Sequence, residues 1–506
     1  MRYKCLWIIT AVFFFGSLLL GCDTGGGSEG NNDGDDEVLE YQEAQWAQIA
    51  ASGSTSSSLL NSIAVDTAGN VYAAGHIEGA EQHSFGNGIT ATGIETHRNI
   101  LLVKYNPSGV AQWARTVTSA SSVFKSGYSS VAVGSDGSIY AAGYISRKAI
   151  YEFGNSVTAE LTDDNCSSIL LVKYNTDGNA QWAKVFAATP SSYSGEFHSV
   201  TVDGNGNVYA AGCFLSAGTY SFGNGVTAAC INSSNNVLLV KYNADGLAQW
   251  ARTSTSGSSD CIFRSVSVDG VGNVYVGGYV VQTGSYAFGN SVSVTGVASE
   301  NCILLKYSSA GVPQWIKTNN SGTASSIFYA IVTDGTGNVY AAGDIYGGVD
   351  CSFGNGVVAH GSYTYENAAL VKYNTDGVAQ WAKTTTTGTS SSQFYSVTMD
   401  GSGNVYAAGF IGGNGAYGFG NGVTATGASS NGNVAAVKYD SSGNAQWAKT
   451  STQAISDAYF YSITADKVTG SVYAGGEIYG IDNYTFGNSV TATTTGSGEN
   501  MILVKY

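Results

Sequence analysis

A chain of 506 residues with 68 Gly and 33 Tyr but only 3 Pro and 3 Met, 11% charged and 43% hydrophobic, is rich in β and turn formers and poor in helix-surface residues. It carries enough apolar material to bury a large core, which excludes a disordered chain. A net charge of −15 excludes nucleic acid and anionic lipid as binding partners, because those surfaces call for clustered Lys and Arg.

In chain order, Arg2 and Lys4 precede an uncharged apolar run from Cys5 to Leu20, which predicts a secretory signal over residues 1–21. The run ends Leu19-Leu20-Gly21-Cys22, which resembles the lipobox of bacterial lipoproteins. That resemblance implies cleavage before Cys22 and lipidation of its sulfur. Residues 22–43 hold Gly25-Gly26-Gly27, Asn31-Asn32 and many Asp and Glu without a Lys or Arg, and are expected to form a flexible acidic tether.

From Trp46 onward a tryptophan returns at Trp113, Trp182, Trp250, Trp315, Trp381 and Trp447, every 65 to 69 residues, the mark of a repeat architecture. Each unit has four short stretches, typified by Ser199 to Asp203 (SVTVD), Asn207 to Gly212 (NVYAAG), Leu238 to Tyr242 (LLVKY) and Ala248 to Ala251 (AQWA). Their alternation, β-branched and aromatic residues and Asp/Asn/Gly turns predict two antiparallel hairpins per unit. The phase is informative: the chain starts with a lone fourth stretch at about 44–49 and finishes with a lone third stretch at about 501–506. Pairing the ends completes a seventh unit and removes exposed edges. Residues 44–506 are therefore predicted to be all-β, a seven-bladed β-propeller of four-stranded blades.

The units, GNVYAAG followed by LLVKYNxDGxxQWAK, resemble the SBBP β-propeller repeat of bacterial exported proteins over essentially all of 44–506, and their hairpins are similar to the NHL repeat. The Gly and Trp of the third-to-fourth turn are similar to the tryptophan-docking motif of quinoprotein propellers. The resemblance implies fold and export, and brings no shared activity or catalytic residues.

With the first strand innermost, antiparallel order puts the tight Gly turns at one end of the ring and the long second-to-third and fourth-to-first connections at the other. The second-to-third connections centre on F-G-N-[GS]-V, as in Phe222 to Val226, and are expected to form small hairpins over their own blades. Binding is expected on this long-loop end. All five His and the six Cys after Cys22 fall there or at adjoining strand ends.

Candidate residues follow from that partition. His76, His83 and His97 share one connection with Glu78 and Glu81 and are the candidate metal ligands, although their spacing matches no metal signature and no metal or cofactor is predicted. Asp203, Asn205 and Asn207 alternate as calcium ligands would, but without the closing Glu of a calcium loop they read as a hairpin turn. Cys166, Cys213, Cys230, Cys261, Cys302 and Cys351 leave about 15 disulfide connectivities open, with Cys213 and Cys230 the pair to test first. Tyr220, Tyr286, Tyr363, Tyr365, Tyr417 and Tyr484 are the candidate ligand-facing aromatics. The repeated Lys and Trp read as scaffold. No GxSxG or HExxH occurs, so no catalytic residue is assigned.

The expected function is a non-enzymatic protein-binding or scaffolding propeller, monomeric and lipid-anchored in the bacterial cell envelope at the inner membrane, outer membrane or cell surface. Its partner would be an envelope or extracellular protein. A glycan-binding propeller is the alternative, and a hydrolase or lyase with its site at the axis is the third reading.

Overall fold

The second and third stretches of each unit are near-continuous apolar runs, the pattern of strands covered on both faces, whereas the first and fourth alternate as edge strands do. The computed structural model bears this out: Val71–Glu78 is buried at every position but its last, while Ala111–Arg115 alternates at its start. The structure describes residues 43–506 apart from 53–55, 95, 120–124, 165, 190–193, 232, 258, 321–323 and 495. The expected signal segment, Cys22 and all but the last residue of the tether lie outside the described residues.

Seven four-stranded antiparallel sheets form the ring, and no helix occurs among the described residues. In blade 1 the strands run A (Ser58–Val65), B (Val71–Glu78), C (Arg98–Tyr105) and D (Ala111–Arg115) from the inside out. The remaining A strands are Ser126–Val133, Ser194–Val202, Cys261–Val268, Ser326–Thr333, Ser392–Met399 and Ala458–Ala465. The remaining B strands are Ile139–Ser146, Val208–Leu215, Val274–Val281, Val339–Tyr346, Val405–Gly412 and Val472–Tyr479.

Blade 7 is closed by the two ends of the chain. Trp46–Ile49 supplies its strand D and pairs antiparallel with Glu499–Lys505, Trp46 opposite Lys505 and Ile49 opposite Ile502. This is the closure that the repeat phase predicts. It leaves no open edge between first and last blade.

The repeated residues hold blade to blade. Six of the seven strand D Trp reach the C-to-D turn of the next blade, while Trp447 packs on Tyr506 instead; a Cβ on Gly178 would stand 2.9 Å from the Trp113 ring, and Gly178 has φ +75°, so the turn requires glycine twice over. The Trp113 Nε1 donates to the Thr176 carbonyl at 3.1 Å, and Lys104 of the same blade donates to that carbonyl at 3.4 Å. Lys104 also lies over Tyr72, which packs on Trp113. The repeated Lys is therefore a seam residue.

The D-G-x-G-N turns use their own carboxylates. Asp203 Oδ1 accepts from the amides of Asn205 and Asn207, and Oδ2 from the Asn207 side chain and the Tyr209 hydroxyl. Those bonds occupy the oxygens a cation would need. In blade 2, where Gly134 replaces the Asp, Asp136 takes over by accepting from Ser138.

The F-G-N hairpins form in all seven blades, and they lie farther out than a binding loop would. Each hairpin Asn sits at positive φ, and its side chain donates to the carbonyl of a residue at the start of strand D or beside it: Asn87 to Ala111, Asn224 to Ala248 and Asn488 to Ala44, the last at the point of ring closure. The hairpins thus line the outer flank of the blades. The end of the ring that they leave uncovered is its axial mouth.

Candidate functional site: the axial mouth at the long-loop end

Every strand A carries a one-residue β-bulge opposite the last Gly of NVYAAG on strand B. The extra residues are Asn61, Ser129, His198, Arg264, Tyr329, Tyr395 and Tyr461. The bulge exists because strand A comes too close for a side chain: a Cβ on Gly212 would sit 2.0 Å from the Glu196 carbonyl oxygen, and one on Gly343 1.8 Å from that of Ile327. Bulges re-aim side chains, and here the extra residues are all half-buried on the strands that adjoin one another around the axis. Serines following the bulge lock the ring, as where Ser62 accepts from the Val131 amide and Ser199 from that of Val266, both at 3.1 Å.

Strand B adds a second variable position, immediately after the same Gly: His76, Tyr144, Cys213, Tyr279, Asp344, Phe410 and Glu477. Around blades 5 to 7 these two positions build a connected arc. Gln393 donates through Nε2 to Asp344, and Tyr395 donates to Gln393 Oε1 at 2.6 Å. The Tyr395 ring lies 5.4 Å from those of both Tyr329 and Tyr461. Tyr461 and Tyr479 both donate to Glu477 Oε1, at 2.5 and 3.1 Å, and Glu477 Oε2 is buried without a partner.

Burial sets the charge states. Asp344, 6% exposed, is pushed up to about 7 by burial, with Glu366 and Glu300 adding to the rise against the Gln393 hydrogen bond. Glu477, 2% exposed, is likewise raised to about 7 by burial, with Glu499 adding to the rise. Two carboxyls poised near neutrality, beside hydroxyl donors and tyrosine faces, can offer or accept hydrogen bonds and can face a cation. Exposed Tyr346 and Tyr365 continue the aromatic surface outward, 5.9 Å apart, with Tyr363 5.6 Å from Tyr365.

Blade 3 contributes a different group. His198 Nε2 lies 3.5 Å from Cys213 Sγ, and His198 Nδ1 lies 3.0 Å from Glu196 Oε1. Burial alone would lower His198, but facing Glu196 it is raised to about 9. Burial would raise Glu196, and the His198 and Arg264 charges outweigh it and hold the carboxyl below its ordinary value.

The residues singled out from sequence fall elsewhere for the most part. Tyr220, Tyr286, Tyr417 and Tyr484 are fully buried under the outer hairpins, each donating to a backbone carbonyl at the end of strand B, as Tyr220 does to Leu215 and Ser216. This corrects their reading as ligand-facing residues: a ring sealed against its own blade cannot stack on a ligand. Only Tyr363 and Tyr365 of that set adjoin the mouth.

His76, His83 and His97 are not brought together as a metal site. His76 is buried on strand B and pushed down to about 3 by burial, His83 is buried in the hairpin facing the Glu78 carbonyl, and His97 is exposed beside Thr96. Among the described residues no three His, Cys, Asp or Glu form a group that could hold a metal. No disulfide joins Cys213 to Cys230: the first faces His198 at the axis, and the second is buried in the hairpin opposite Gly218.

Sequence reasoning missed the axial set, although a signal was present. Within stretches that otherwise repeat nearly letter for letter, the residue after NVYAAG and the residue immediately before SVTV change chemical type from blade to blade.

No family model matches the chain. An Acanthamoeba polyphaga mimivirus protein described as "Uncharacterized WD repeat-containing protein L264" is 24% identical over an alignment of 346 positions that covers 58% of this chain and 25% of that protein. The chain thus matches about a quarter of that relative's length. Among solved structures, a Dyadobacter fermentans protein of unknown function aligns with TM-score 0.37 and 11% identity over 76% of this chain and 95% of its own. The polysaccharide lyase Uly1 aligns with TM-score 0.40 and 10% identity over 88% and 89%. With its seven four-stranded blades and a WD-repeat-like relative, the chain is a β-propeller repeat protein.

Proposed function

We propose that the protein is a binding propeller that holds a partner polypeptide at the axial mouth of its long-loop end. The observation that carries this reading is the arc of Tyr329, Tyr395 and Tyr461 set among Asp344, Glu366, Glu477 and Glu499, which suits the Lys or Arg side chain of a partner by charge and by cation–π contact. The WD-repeat-like relative supports the scaffold class. Lipidation at Cys22 would hold the propeller in a bacterial cell envelope on its acidic tether, as a monomer, with the mouth free to engage an envelope or extracellular protein.

The test is fluorescence anisotropy of the full chain against peptides carrying Lys or Arg and against the same peptides with those residues changed to Gln. Binding that needs the cationic residue and drops on Tyr395→Ala supports the reading. Equal binding of both peptide sets, or none, overturns it. A glycan ligand is the second reading, favoured by exposed Tyr346 and Tyr365 with half-buried Tyr363 beside them, and a glycan array on the same preparation separates the two.

A further inference from the structure

We propose that Cys213, His198 and Glu196 form a nucleophile, base and orienting carboxylate at the axial mouth, able to accept an acyl group from an activated ester. The three side chains stand in the order such chemistry requires: sulfur to Nε2 at 3.5 Å, and Nδ1 to carboxylate at 3.0 Å. The Glu196 contact settles the ring orientation, because a carboxylate facing Nδ1 leaves Nε2 for the sulfur. Geometry sets this up through the fold. Glu196 and Cys213 are directly opposite across strands A and B, and the bulge swings His198 to the same side.

The repeat supplies its own control. The equivalent triplets are Leu59, Asn61 and His76 in blade 1, Gln393, Tyr395 and Phe410 in blade 6, and Tyr459, Tyr461 and Glu477 in blade 7, all at positions where the scaffold places no demand. Blade 3 therefore owes its thiol, imidazole and carboxylate to something other than the fold. The group is reachable: Cys213 is half-buried and the Glu196 side chain is 41% exposed. Arg264 of blade 4, whose charge is felt at Glu196, has a buried Nε without a hydrogen-bond partner and lies over Tyr279.

The step balances within the site and water. Above about pH 9, where His198 is neutral, the sulfur attacks the ester carbonyl carbon as its proton passes to His198 Nε2. The carbon–oxygen bond to the leaving alcohol breaks, and His198 returns that proton to the departing oxygen. Water then attacks the thioester with its proton taken by His198, and the carboxylic acid leaves as the sulfur recovers the proton. This assignment does not rest on the polypeptide-binding reading, which concerns blades 5 to 7.

The experiment uses the full chain with p-nitrophenyl acetate, following nitrophenol release and locating the acetyl group by peptide mass. The expected result is acetylation at Cys213, about 100-fold faster than an exposed thiol. His198→Asn should lower it to the exposed-thiol rate, Glu196→Gln should lower it about 10-fold, and Cys213→Ala should abolish it. Acetylation spread over other residues, or a rate unchanged in folded His198→Asn, overturns the proposal. Should a variant fail to fold, iodoacetamide labelling of the unaltered chain decides: Cys213 labelled well ahead of the other five described Cys supports the assignment, and labelling no faster than theirs overturns it.

Discussion

Strands D and A lie at opposite edges of every blade and use repetition in opposite ways. On strand D the repeated residue is the one that matters: six of the seven Trp seat on a turn of the next blade, so a change in one unit is felt at the seam with its neighbour. On strand A the repeated residues, a Ser in every blade but the fifth and the Val or Ile after it, hold the ring, and the bulge just before them frees one position to vary. Repetition thus marks structure at the rim, and its failure marks chemistry at the axis.

The most forceful way to break this comparison is to remove a seam altogether. Deleting residues 44–49 takes strand D from blade 7 together with Trp46, and should cost on the order of 5 kcal/mol in urea unfolding, with a large fall in Tm. An unchanged Tm would mean that the ring does not depend on closure. Gly178→Ala, which sets a Cβ at φ +75° against Trp113, should cost about 2 kcal/mol and leave ligand binding at the mouth intact.

At the axis the expected effects are smaller in stability and larger in function. Tyr395→Phe removes the donor to Gln393 Oε1 and should cost about 1 kcal/mol while weakening binding by the arc. Tyr220→Phe should cost a similar amount or less and leave binding unchanged, since its hydroxyl donates to the Leu215 and Ser216 carbonyls of its own blade. Equal effects on binding would erase the distinction between rim and axis.

A further effect is one of pH. Asp344 and Glu477 are raised to about 7 from ordinary carboxyl values, so the folded state binds more protons than the unfolded state between about pH 4 and 7. Their contribution to stability is complete below the unfolded values and is lost as pH rises through about 7. His198, raised to about 9, extends the loss from about 6.5 to 9. Glu196, held low, acts in the other direction, and its contribution is lost only as pH falls below the ordinary carboxyl range. Urea unfolding across this window should show stability declining with pH, and Asp344→Asn with Glu477→Gln should flatten the decline up to pH 7.

Much of the fold was legible in the sequence because it is written seven times. The period of Trp, the alternation of the four stretches and the complementary ends each depend on local or repeated pattern, and each corresponds to strands and pairings in the structure. The candidate site was read less well for a definite reason. Rare residues on the long connections attract attention, but Tyr220, His83 and Cys351 occupy equivalent places in their hairpins and are all sealed inside.

What the amino-acid order determined on its own was the blade, the number of blades and the way the ring closes, since these follow from periodicity and from which strand is missing at each end. What only the tertiary structure decided was direction. The bulge opposite a glycine aims His198 at Cys213 and sets Tyr395 against Tyr461, and the hairpin asparagines turn the F-G-N segments outward onto strand D. Both choices arise from close approach between neighbouring elements of a blade, a distance that no local pattern records.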